Sequence, residues 1–133
     1  MRILTITILT LSLLIGCSEI ETTDPIESYK HWTGTVPADN LKVLEGKYWQ
    51  SPHWSKEYIL YLKIKPTDEW WREFANQNKL QSDNSDWIKP TNLPDWFILS
   101  DKMERYNAKD DFSDSRYFRD KQSGVCYIYE IQL

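Results

Sequence analysis

Side chains able to do acid–base, nucleophilic or metal chemistry are sparse in this chain. It has two histidines and two cysteines among 133 residues. His31 lies in an acidic N-terminal stretch. His53 lies between Pro52 and Trp54 in a loop-like segment. His53 with Ser51 or Ser55 could imitate a hydrolytic pair, but residues so close in sequence rarely converge on one substrate atom, and no orienting acid is indicated. No H-E-x-x-H, C-x-x-C, G-x-S-x-G or P-loop pattern occurs. A metal centre needs clustered His or Cys, and none is seen. Asp110, Asp111 and Asp114 offer oxygen donors, as do Asp83, Asn84 and Asp86. Neither group has the D-x-[DN]-x-[DN]-G loop of a calcium hand, so both read as solvated acidic loops. The chain holds 20 acids, and nothing in their spacing selects the two carboxylates of a glycosidase. No catalytic residue, metal or cofactor is therefore expected.

Aromatic side chains are the remaining signal. They make up 14% of the chain, with seven tryptophans. That argues against disorder. A small domain uses large rings to bury area, which accounts for Trp71, Phe74, Tyr127 and Tyr129. Trp54, Trp87 and Trp32 fall outside the strand and helix patterns that need core side chains. They are the candidate partner contacts, because exposed Trp is enriched where partners bind and sugars stack on such rings.

The first residues read MRILTITILTLSLLIGC. Arg2 is followed by an uncharged apolar run from Ile3 to Gly16, too short for a membrane span of about 20 residues. It suits the apolar region of a secretory signal. The ending Leu14-Ile15-Gly16-Cys17 resembles the lipobox of bacterial lipoproteins. A plain signal peptide, or a membrane stub with an incidental Cys, is the alternative. The resemblance implies cleavage between Gly16 and Cys17, acylation of Cys17 with palmitate-type chains, and a membrane anchor in the cell envelope. Ser18 rather than Asp follows the Cys; in enteric-type Gram-negative bacteria that favours the outer membrane over retention in the inner one, on its periplasmic or surface side.

The net charge is −4. Loss of residues 1–16 removes Arg2 and makes the mature chain more acidic still. An acidic body gains nothing from anionic headgroups and lacks the basic stripe that nucleic acid demands. Any membrane attachment therefore rests on the lipid. Once Cys17 is committed to lipid, Cys126 has no partner in an oxidising compartment, and a buried, inert thiol is expected.

The elements divide the chain into a signal peptide (1–16), a lipidated Cys with an acidic tether (17–35) and one domain (36–133). Residues 40–49 predict a first strand with a bulge at Gly46. Residues 56–65, KEYILYLKIK, alternate with period two. Tyr58, Leu60, Leu62 and Ile64 form the buried face; Ile59, Tyr61 and Lys63 lie on a mostly wet one. Pro66 ends this strand and Thr67 caps a helix over residues 67–80. Asp68 and Glu69 suit its first turn, and Trp71 and Phe74 face the sheet. The short connection predicts that it packs on the strand it follows. Residues 81–95 form a polar, Pro-bearing loop, and Trp96 to Leu99 form a short apolar strand. Residues 100–115 are ambiguous. Residues 116–120 and 125–133 make a hairpin about a turn at Gly124. The expected fold is α+β: a small antiparallel sheet of four to five strands, in the order ββα then ββ(β), with one main helix on one face.

The segment Pro37-Ala38-Asp39-Asn40, the Tyr-Leu-Lys-Ile strand at 61–64 before a Pro and helix, and the closing Gly124-Val125-Cys126-Tyr127-Ile128-Tyr129-Glu130 resemble small uncharacterised bacterial lipoproteins. In these, a small residue stands where Asp39 is found here. The resemblance implies no activity. The functional expectation is a membrane-anchored envelope lipoprotein acting as a non-enzymatic binding or accessory module, an inhibitor or immunity role included. A glycan- or peptidoglycan-binding module and an unrecognised hydrolase are the alternatives.

Overall fold

In a computed structural model of the chain, residues 18–109 and 113–133 are described. The expected signal peptide with Gly16 and Cys17, and the pair Asp110 and Asp111, lie outside the described residues. Seven strands form one antiparallel sheet: β1 (Ile20–Thr22), β2 (Leu41–Gln50), β3 (Tyr58–Pro66), β4 (Leu80–Ser82), β5 (Glu104–Ala108), β6 (Arg116–Arg119) and β7 (Cys126–Gln132), with two helices, α1 (Pro25–Thr33) and α2 (Asp68–Gln77). Their order across the sheet is β1-β2-β3-β7-β6-β5-β4. The smaller sheet with a single main helix is thereby overturned: three short strands, β1, β4 and β5, and a second short helix add to the expected elements, and the molecule is mostly sheet.

The segment expected as a tether is part of the fold. β1 pairs with β2, with Ile20 opposite Gln50 and Thr22 opposite Tyr48. Asp24 caps α1 by accepting a hydrogen bond from the Glu27 amide at 2.8 Å, with Pro25 opening the first turn and Gly34 closing the helix at φ 79°. α1 docks where the sheet has no side chain to block it. A Cβ on Gly46 would stand 2.8 Å from both Cβ and Oγ of Ser28. Gly46 thus serves close approach of the helix. The bulge falls instead between Val43 and Glu45. That bulge matters: it lets Leu41 and Val43 share a face with Gly46 and Tyr48, which strict alternation forbids.

Both faces of the sheet are covered. On one, Tyr48, Leu60, Leu62, Ile64, Cys126 and Ile128 pack beneath Tyr29 of α1 and Trp71 and Phe74 of α2. α2 begins as expected, with the Thr67 hydroxyl accepting from the Trp70 amide. It packs on β3, as expected, and also on β4, and its rings reach further across the sheet: Trp71 contacts Tyr106 of β5 and Phe74 contacts Tyr117 of β6. On the other face, Tyr61, Phe118, Tyr127 and Tyr129 pack under residues 83–103, which contribute Phe97 with Trp87, Leu93, Trp96 and Met103. The expected strand at Trp96 to Leu99 is therefore irregular chain laid across the sheet. Phe97 buries itself by capping a face, with Trp96 and Leu99 partly covered beside it and Ile98 left exposed, so the run needs no strand neighbour. The face of β3 expected to be wet is dry at Tyr61, which is 1% exposed.

Candidate functional site

The side-chain constellation with the most polar convergence is centred on Glu130. Alternation along β7 points Glu130 to the helix side, the side of Cys126 and Ile128. Glu130 stands opposite Leu60 on β3, and Tyr117 of β6 stands opposite Ile128. Tyr58 and Tyr117 are thus diagonal neighbours of Glu130 on either flank, a separation that a phenol spans. The Tyr58 hydroxyl donates to Glu130 Oε1. The Tyr117 hydroxyl donates to Oε2 at 2.9 Å. From α1, Trp32 Nε1 donates to Oε1 at 3.2 Å. One carboxylate therefore ties two neighbouring strands to the helix that the sequence read as tether, through hydrogen bonds strengthened by its charge.

A cleft of about 580 Å³ opens at this point, lined by Glu130, Tyr58, Tyr117, Ser113, Asn78 and Gln132 among others. Its rim is pinned by Ser115, buried, whose hydroxyl accepts from the Ile131 amide at 3.0 Å and from Ser113 at 2.8 Å. A second groove, about 320 Å³, runs between the helices past Trp32, Trp70, Phe74, Glu73 and Gln77. Asn78 borders both, and Trp32 joins them through its bond to Glu130. Trp70 stacks on Phe74 with ring centroids 5.1 Å apart and planes 10° from parallel. The arrangement presents flat rings beside hydroxyl, amide and carboxylate groups. Such a surface suits a hydroxyl-rich ligand, since rings cover its apolar faces and the polar groups exchange hydrogen bonds.

The three aromatic residues singled out in sequence part company. Trp54 is 100% exposed on the hairpin joining β2 to β3. Trp87 packs its ring on Phe118 and Tyr129, with centroids 5.2 and 5.5 Å away, so it pins the cover loop. Its Nε1 is buried with no hydrogen-bond partner. Trp32 packs on Phe74 and lines the groove. His53 is exposed on the Trp54 hairpin, and His31 stacks on Tyr48 with centroids 5.1 Å apart. Cys126 is a buried free thiol, as expected, and desolvation pushes its pKa up to about 12. Among the described residues no cluster of three His, Cys, Asp or Glu side chains could hold a metal ion, and no helix is long and apolar enough to cross a membrane.

Glu130, Tyr58 and Tyr117 were missed as a site. A signal existed: Glu130 interrupts the inward face begun by Cys126 and Ile128, and a charge at an inward position requires partners. Compared with protein-family models, curated proteins and solved structures, the chain shows no match.

Proposed function

We propose that this chain is a membrane-anchored envelope lipoprotein that acts as a non-enzymatic binding module, and that it takes its ligand in the Glu130 cleft. Its address rests on the apolar run ending at Cys17. The observation that carries the binding role is the cleft beside Trp32: a polar floor adjoining a ringed groove, with its carboxylate already engaged by three donors. A carboxylate so held is a fixed acceptor. Among the described residues of that cleft Glu130 is the single acidic side chain, whereas glycoside hydrolysis uses a facing pair roughly 5–10 Å apart. This favours binding over hydrolysis. The rings of Trp32 and Trp70 favour a glycan or peptidoglycan fragment as ligand.

Titration of the protein with muropeptides and neutral envelope oligosaccharides, followed by tryptophan fluorescence, tests this. Saturable binding is expected. Trp70→Ala is expected to weaken it at least fivefold, about 1 kcal/mol. Binding unchanged in Trp70→Ala, or none at millimolar saccharide, sinks the glycan reading.

A further inference from the structure

The end of the sheet from which the chain leaves toward Cys17 carries an exposed aromatic tip. β1 runs antiparallel to β2 with Ile20 opposite Gln50, the last residue of β2. Going backward from Ile20, the chain therefore heads past Gln50, toward the side on which β2 turns into the hairpin of residues 51–57. Glu19 holds it there by accepting a hydrogen bond from Trp49 Nε1. Cys17 is three residues from Ile20, so it stays within about 11 Å of it. No long tether separates a lipid on Cys17 from the sheet, because the acidic segment once expected to provide one is β1 and α1.

The hairpin at that end is unusual. Ser51 anchors its base, with its amide bonded to the Glu57 carbonyl at 2.9 Å, and residues 52–56 are all exposed. Trp54 sits in the middle of them, wholly in solvent. A tryptophan is ordinarily well buried. Its ring, apolar with one polar N–H, is at home at the headgroup level of a bilayer. β7 ends at this same end, Gln132 opposite Tyr58, and the exposed Leu133 follows it.

We propose that the β2–β3 hairpin is a membrane-contact element, and that Trp54 enters the headgroup region of the bilayer to which Cys17 is anchored. The inference rests on the lipid-anchor reading of Cys17. Two attachments, one covalent and one aromatic, fix the orientation of the sheet: its Trp54 end lies on the membrane, and β7 brings Glu130 close to the bilayer.

The test uses the full chain, lipidated in a bacterial host with labelled palmitate, then reconstituted into phosphatidylethanolamine–phosphatidylglycerol vesicles with or without bromine on the acyl chains. Bromine quenches only nearby indoles. The expected result is a loss of fluorescence on the order of one tryptophan in the seven, abolished in Trp54→Ala. Adding Ile88→Trp to that variant, at a 91% exposed position in the loop on the sheet face, is expected not to restore it. Equal fluorescence in both kinds of vesicle, with palmitate present on Cys17, overturns the hairpin contact and leaves the anchor standing. Quenching that persists in Trp54→Ala also overturns it. A chain that takes up no palmitate refutes the anchor, and the hairpin contact with it.

Discussion

Cys126 lies in the core on the helix side of the sheet, on its middle strand, fully buried. Desolvation raises its thiol from 9.0 to about 12, because burial penalises the thiolate. The thiolate is the nucleophile, so at pH 8 the native protein should react with a maleimide far more slowly than the denatured one; rapid native labelling would show that the strand is not packed there. The linkage has a definite sign. A raised folded-state pKa contributes stability that is whole below pH 9 and is lost as pH climbs through the folded value near 12. Tyr48 and Tyr61, also raised by desolvation, act in the same direction, so alkaline unfolding monitored by phenolate absorbance should be cooperative. The two loop tryptophans give the opposing pair of outcomes. Trp54 touches nothing in the core, and Trp54→Ala should leave the melting temperature within a degree or so of the parent. Trp87 rests on Phe118 and Tyr129, and Trp87→Ala should cost about 3 kcal/mol of unfolding free energy in urea.

At the scale of elements, two short pieces of chain decide how the covers sit. α1 reaches the sheet because Gly46 has no Cβ. Gly46→Ala would thrust a methyl to within 2.8 Å of the Ser28 side chain and 3.0 Å of the Pro25 backbone, which should cost about 1–3 kcal/mol by overpacking. Adding Ser28→Gly should recover part of that loss, and additive single effects in the double variant would show that the two positions are not in contact. The cover loop on the opposite face starts at Asp83. Its carboxylate accepts from the Ser85 hydroxyl and amide, sits 3.4 Å from Arg116, and accepts from Asn107. The Ser85 hydrogen bonds, with help from Arg116, hold its pKa below 3.8. A depressed carboxylate contributes stability above its unfolded pKa and loses it as pH falls through the folded value. Asp83→Asn should therefore be less stable than the parent at pH 7, with the gap narrowing below about pH 4. A gap of constant size down to pH 2 would remove charge from the account of this loop start.

The whole molecule is one twisted sheet between unlike covers, helices on one side and irregular chain on the other. Its edges are β1 and β4, three residues each, short enough to offer little template for pairing with another chain. Far-ultraviolet circular dichroism should be dominated by strand, with aromatic contributions from the ring clusters. For the anchor, Cys17→Ser should abolish palmitate incorporation and release the protein from the membrane fraction. Retention of label in that variant would refute Cys17 as the acylated residue.

Local order was legible. β3 and β7 show period-two alternation, and α2 shows a Thr cap, an acidic first turn and two inward rings, because these signals are written within ten residues of chain. α1 had a signal too, Asp24-Pro25 with Glu27 three residues after the cap, but its acidic composition resembled a tether. The run Trp96 to Leu99 could not be assigned by periodicity, since a short apolar stretch fits a strand or a cover equally. What the sequence alone determined is which residues want burial and which cap or break an element. Only the tertiary structure decided which surface buries them: whether Tyr61 faces water or the 83–103 loop, whether Trp87 pins or protrudes, and that Tyr58, Trp32 and Tyr117 meet on one carboxylate. Those contacts join residues 13 to 98 positions apart, and such meetings depend on register and strand order, which no local pattern encodes.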